Sequence, residues 1–433
     1  MNHKTILKYL ATASLVLNLN AQEIYTVDEL IIKSLEHSPN LQISKANYEA
    51  SQALYESATS AYLPTLDLSL SAKEVSQNDT LNNSDTMLND TQLVGTLSAK
   101  QIIYDFGKTR GNVDTQNFNS QAYLLQNIQD ISDKKRDVKE AYYHVLNALA
   151  QINVQKENVK LNKAQLYRAE QYFKAGIRTK IDVSDAKINF IQAKLDLKKA
   201  EYNLELAYAD LDATIGNTGI ESDYKIFAKK LNLDALYTSL YLYDLDLKES
   251  IIYAYENRAV VKKQNAQIQA STAQIDKASS DYYPSFYASA YYTKQSVDSL
   301  KMLIPDTKFQ ASLNLDWNLY RGGATDAITQ EKKIQSSISK SQFTDTKIKI
   351  KKETTQAYIN LNKSRDSTEL SQSLLKVSAQ KFDQASKRYE YGLSDYIELQ
   401  QARQGYIDAK ASLVVAYYDY YIAVAYLDNA IGR

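Results

Sequence analysis

The sequence predicts a mainly α-helical chain with a transmembrane β part, laid out as a two-fold internal repeat. Three observations predict it. First, breakers are scarce: 433 residues contain 11 Gly and 4 Pro, against usual frequencies of about 7% and 5%. Residues 112–175 and 324–391 contain neither, and 64 residues of helix would reach roughly 96 Å at 1.5 Å per residue. Second, the apolar period changes from helical to two after Pro64 and again after Pro284, which marks strands with one apolar face. Third, QYFKAGIRTKIDVSDA (171–186) returns 216 residues later as KRYEYGLSDYIELQQA (387–402).

In chain order, residues 1–21 read as a leader. Lys4 and Lys8 precede an apolar run from Leu10 to Leu19, which is too short to span a bilayer and fits a secretory signal peptide. Its removal takes two lysines and no acid, leaving the mature chain at −2. Residues 23–36 read as a short amphipathic helix, broken by His37-Ser38-Pro39-Asn40, and a helix from Leu41 to Ser60 stops before Pro64. Leu66, Leu68 and Leu70 then alternate with polar residues. Residues 74–92 read as a polar loop, and a second alternating run spans Leu93 to Tyr104.

The long helical stretch that follows ends at Gly176. A second helix runs to Ile215 with a heptad seam at Val183, Ala186, Phe190, Ala193, Leu197, Ala200, Leu204, Ala207 and Leu211. Residues 220–257 read as a linker with a short helix. The pattern restarts with a helix over 258–280, the strand SFYASAYY, a loop over 295–308 and a strand from Phe309 to Leu319. After Gly392 the seam recurs at Leu399, Ala402, Tyr406, Ala409, Leu413, Ala416, Tyr420, Ala423 and Leu427, and Ile431-Gly432 echoes Ile215-Gly216. The predicted units are therefore 22–219 and 258–433, two repeats of helix, two strands and a helical hairpin.

Composition narrows the function. The chain lacks cysteine, which excludes disulfides, thiolate metal sites and a lipid attached to an N-terminal cysteine. His3, His37 and His144 lie far apart, with no ligand spacing for a metal. Lys plus Arg equals Asp plus Glu at 51 each, giving no electrostatic case for nucleic acid. No nucleophile–base pair and no phosphate-binding glycine loop is visible, so neither an enzyme nor a cofactor is expected.

Strands of 10–12 residues with one apolar face suit a membrane, and strands in lipid must close into a barrel. Four strands per chain cannot close alone, because bacterial barrels start at eight; three copies would supply twelve. A soluble sheet within a periplasmic structural or adaptor-like coiled-coil protein is the competing reading. Strands at one end and hairpin tips at the other make an oligomer of this shape a conduit.

Together, AYLPTLDLSLS and YYPSFYASAYY, the junctions IYDFGKTRG and LYRGGATDA, the tips FKAGIRTKIDVSDAK and YEYGLSDYIELQQAR, and the helix ends LDATIG and LDNAIG resemble the TolC-type outer-membrane efflux proteins over nearly the whole mature chain. The resemblance implies a homotrimer with a twelve-stranded barrel in outer-membrane lipid, continued by a periplasmic α-helical barrel. It implies docking to a periplasmic adaptor and an inner-membrane pump of the RND, ABC or MFS class, for efflux or type I secretion. It also implies an entrance held shut at the helix tips. Asp182 and Tyr389 stand where the family places a gate carboxylate and phenol, and Glu398 matches the first constriction acid. Gln401 stands at the second constriction position in place of Asp, and Ser394 replaces a gate Arg. Arg178 and Asp185 occupy the repeat-equivalent places of Ser394 and Gln401, so the first tip carries charges that the second lacks. A plainer reading makes Asp182 and Asp185 solvated first-turn acids favoured by the helix dipole. Gly176 and Gly392 supply the positive φ of a tight helix-to-helix turn, and Ile177 and Leu393 are apolar handles for an adaptor.

Overall fold

A computed structural model describes residues 23–79, 86–219, 224–229, 231–297 and 307–433. Strand β1 (Glu23–Tyr25) leads into α1 (Val27–His37) and α2 (Pro39–Thr59), and the chain then enters β2 (Thr65–Asp79) and β3 (Thr86–Tyr104). The helical hairpin α3 (Lys108–Lys174) and α4 (Lys180–Ile215) follows. Strand β4 (Tyr224–Ile226) and α5 (Leu247–Asn257) lie between the two halves. The second half comprises α6 (Ala259–Ser279), β5 (Ser285–Val297), β6 (Thr307–Asp316), α7 (Ala324–Glu390) and α8 (Tyr396–Ile431). Helices α3 and α7 each have 67 residues, and α4 and α8 each have 36. At 1.5 Å per residue the longer pair extends about 100 Å.

Strands from both halves form one antiparallel sheet in the order β2-β3-β5-β6. Cross-strand partners share a face. One face carries the rows Leu68–Leu97–Tyr292–Phe309 and Leu66–Ala99–Ala290–Ala311. The other carries Ser69–Thr96–Thr293–Lys308 and Asp67–Ser98–Tyr291–Gln310. The apolar face has no covering layer: Leu66, Leu68, Leu70, Phe309 and Leu315 are exposed, and Leu313 is 80% exposed. Strands β2 and β6 are the two edges.

The strands are longer than the sequence suggests. The expected loop over 74–92 is partly ladder, since pairing continues from Glu74↔Thr91 to Asp79↔Thr86. Likewise β5 runs on to Val297 and β6 begins at Thr307. The backbone ladder needs no apolar alternation, so the polar residues of this stretch conceal its continuation in the sequence. At its other end β6 stops at Asp316, short of the expected Leu319. The expected helix over 23–36 loses its first residues to β1, which pairs in parallel with β4. The short helix after it begins earlier than expected, with Pro39 in its first turn, where a missing N–H costs nothing. The expected leader lies outside the described residues.

Buried clusters of apolar side chains hold the helices together. Near the middle of α3, Leu30, Val138, Val145, Leu211, Ile215, Val414 and neighbours form an equatorial core. A second core joins α5, α6, α7 and α8 around Ile350, Leu361, Tyr420 and Leu427. A third sits at the tips and includes Ala186, Tyr389, Leu399 and Ala402. At the strand-to-helix junction Phe106 is the one non-glycine residue among those described with positive φ, at 52°. Its ring stacks on Tyr283 at 5.0 Å, which holds a conformation that bulky residues rarely adopt.

Candidate functional site: the paired hairpin tips

Both tips end their incoming helix in the same way. Gly176 (φ 73°) and Gly392 (φ 74°) take the left-handed conformation. Gly176 N–H donates to the Phe173 carbonyl and Ile177 N–H to that of Tyr172, at 3.0 and 2.9 Å. Gly392 and Leu393 donate in the same pattern to Tyr389 and Arg388, at 3.1 and 2.8 Å. These are Schellman closures, in which glycine avoids the steric cost of positive φ. No atom lies within 4 Å of a Cβ built at either glycine, so conformation alone sets the requirement. Ile177 and Leu393 are exposed at the extreme end.

The outgoing helices begin with different caps. Thr179 and Asp182 form a reciprocal capping box on α4: the Asp182 carboxylate accepts from Thr179 N–H at 2.9 Å and from its hydroxyl at 3.0 Å. On α8, Asp395 accepts from Glu398 N–H at 2.8 Å. Asp182 therefore serves its own helix start. Asp185, one turn on and half-exposed, has no partner among the described residues, and Gln401 is exposed.

Arg178 joins the two tips. Its Nη2 donates to the Ser394 carbonyl at 3.1 Å, and its guanidinium lies 5.0 Å from the centre of the Tyr389 ring. Tyr389 is fully buried against Tyr172 and Tyr396. Burial pushes its phenol up, while the Arg178 charge pulls the other way and Asp182 adds to the rise. The structure thus brings Arg178, Tyr389 and Ser394 together, with Asp182 close enough to be felt. Glu398 sits apart, 3.6 Å from Arg388 of its own hairpin, with Arg388 exposed and Glu398 half-exposed.

Two features escaped the sequence reading. Arg388 offsets the Glu398 charge. Arg403, on α8, is only 3% exposed; burial pulls its guanidinium down, and Tyr396 pulls it partly back. Tyr396 also accepts from Asn189 Nδ2 at 3.0 Å, and Gln400 donates to Asn189 Oδ1 at 2.9 Å. The signal available was the seven-residue spacing of Tyr396, Arg403 and Lys410, a polar heptad beside the apolar one.

A family model described as outer membrane efflux protein matches residues 30–217 and again 252–433. The chain belongs to the outer membrane efflux protein family. The protein CyaE of Bordetella pertussis is 24% identical over 387 residues, covering 88% of this chain and 78% of that protein. The Campylobacter jejuni CmeC outer membrane channel superposes with a TM-score of 0.81 at 17% identity, over 94% of this chain and 85% of that one. The open state of the Neisseria gonorrhoeae MtrE channel gives 0.78 at 16% identity, over 94% and 88%. Membership makes this outer membrane efflux protein an outer-membrane exit duct with its helices in the periplasm. The family is one of ducts, not of enzymes.

Proposed function

We propose that three copies of the chain close into a twelve-stranded barrel continued by a helical tube. In this reading the duct passes substrates delivered by an inner-membrane pump and performs no chemistry of its own. The observation that carries it is the four-stranded sheet with an uncovered apolar face and two free edges. In lipid each edge must be paired, and β6 of one copy runs antiparallel to β2 of the next when an even number of strands alternates around a ring. The two similar halves, 22–219 and 258–433, read as an internal duplication joined by 220–257.

The helices favour the same closure. Within the chain α4 packs on α3, α3 on α8 and α8 on α7, while α1 covers part of α4 and α5 and α6 cover part of α7; towards the tips the outer flanks of α4 and α7 carry exposed apolar residues. Exposed Ile181, Ile188, Leu195 and Tyr202 repeat every seven residues on α4. Exposed Leu370, Leu374 and Val377 line α7. Leu195 and Leu374 lie 19 and 18 residues from their tip glycines, so by helix rise they stand at the same height. Two different faces meeting this way make a heterologous contact, which closes into a ring. Leu195→Asp should convert the detergent-extracted trimer to monomer by native mass measurement. A trimer of unchanged mass would remove this seam from the interface.

The tips read as the gated entrance. Arg178 supplies from the first tip the cation that Ser394 leaves out of the second. Tyr389 and Asp182 flank that link, and Glu398, Asp185 and Gln401 lie beyond it. Ile177 and Leu393 would meet a periplasmic adaptor serving an RND, ABC or MFS pump, for efflux or type I secretion.

A further inference from the structure

Between the equatorial core and the tips, the joint of α3 on α8 holds a polar layer sealed between two apolar ones. On the equatorial side Val154 of α3 lies in one buried cluster with Ile407 and Val414 of α8. On the tip side Ala169 lies in another with Leu399 and Ala402. Between them α3 places Asn158, Asn162 and Gln165 on one stripe at helical spacing, and α8 places Arg403; all four are buried. The helices run antiparallel, with Gln151 donating to the Ala411 carbonyl at 2.9 Å and Glu157 accepting from Tyr406 Oη at 3.1 Å. That register sets Arg403 at about the level of residues 160–165.

The layer holds donors and a charge with too little to receive them. Arg403 Nε and Nη1 and Gln165 Nε2 are buried without a protein partner, and the one unpartnered oxygen among the described residues of this layer is Asn162 Oδ1. Asn162 Nδ2 is engaged by the carbonyl and Oδ1 of Asn158, at 2.9 and 2.8 Å. Tyr396 alone supports the guanidinium against burial, and it is a phenol, not a carboxylate, that already accepts from Asn189 at 3.0 Å. Glu157, on the equatorial side, is held by Tyr406 and Lys410. Arg403 is closed off by its own chain, so neither a neighbouring copy nor an adaptor reaches it with an acid.

A guanidinium keeps its proton at neutral pH, and a buried charge without a counter-charge is strongly unfavourable. Water in the layer would satisfy hydrogen bonds and leave the charge unbalanced. The side-chain amides of Asn162 and Gln165 likewise offer oxygen and no charge. What is missing is one negative charge of small size, since helices in contact lie only about 8–10 Å apart.

We propose that Arg403 and the Gln165 amide bind a small monovalent anion of the size of chloride between α3 and α8. Nε and Nη1 of Arg403 donate to it from α8 and Gln165 Nε2 from α3, while Asn158 and Asn162 wall the layer. The ion balances Arg403 and ties the two helices together. The site stands whether or not the tips gate the duct.

Crystals of the detergent-extracted assembly grown in bromide give the location. One anomalous peak per chain is expected in contact with Arg403 Nε and Nη1, and its absence overturns the site. Heat-induced loss of the assembly is then timed in chloride and in gluconate, an anion too large for the layer, at equal ionic strength. Each tenfold rise in chloride above its dissociation constant should slow the loss about tenfold for every ion that must leave first. Arg403→Met keeps the length of the side chain and needs no anion, so its rate should be equal in the two salts, which also accounts for general salt effects. Gln165→Glu supplies the missing charge in place, so it should abolish the dependence with Arg403 retained, and it carries the test if Arg403→Met fails to assemble. A bromide peak without chloride dependence means binding at crystal concentration only and overturns the proposal. So does an equal dependence in Arg403→Met, or a Gln165→Glu variant that responds to chloride as the natural chain does.

Discussion

Arg178→Ala removes a side chain that spans both tips. The loss can be worked from its two contacts. A charged donor on a carbonyl contributes about 1.5–3 kcal/mol, and a guanidinium over an aromatic face about 0.5–1 kcal/mol when partly exposed. Arg178 is half-exposed, so the lower ends apply, about 2 kcal/mol together, and solvent screening leaves the link worth about 1–2 kcal/mol per chain. If three chains open together, the change is about 3–6 kcal/mol, or roughly 100- to 10,000-fold in the ratio of open to closed. Single-channel recording in planar bilayers should therefore show larger or longer openings. Arg178→Lys should fall between, because an ammonium keeps the charge and loses the planar fork. Wild-type conductance in Arg178→Ala, with normal oligomer mass, would refute the reasoning.

Two further outcomes follow from the tip geometry. Gly392→Ala forces an L side chain into φ 74°, costing about 1–2 kcal/mol; exchange of the Leu393 amide should quicken several-fold, and unchanged protection would contradict the left-handed closure. Arg388→Gln frees Glu398 from its 3.6 Å partner, so reversal potentials should shift towards cations and Glu398→Gln should shift them back; selectivity indifferent to both would take Glu398 out of the permeation path.

Much of this architecture was legible in the residues. The tip glycines and the apolar seams each state a local requirement that only one backbone conformation meets. The seam residues Ala186, Leu211, Leu399, Ala402 and Leu427 are all buried. Strand length was not legible, because Gln77, Asn78 and their partners are paired through backbone groups, which leave no apolar alternation in the sequence. The stacked Phe106 was hidden for a different reason: its φ depends on Tyr283, a residue far along the chain. Arg178 stood out by comparison of the two repeats, but its partners could not be read, since Tyr389 and the Ser394 carbonyl reach it only through the packing of α3 on α8. Arg403 was missed because a long basic side chain beside an apolar seam usually reaches water.

The central claim is that the exposed apolar strands become a shared barrel. Cryo-electron microscopy of the detergent-extracted assembly tests it most directly. The account predicts a three-fold particle with one twelve-stranded barrel, in which β6 of each chain pairs with β2 of the next and the apolar rows through Leu68 and Phe309 face the detergent. A four-stranded sheet covered by protein in an isolated chain would contradict it.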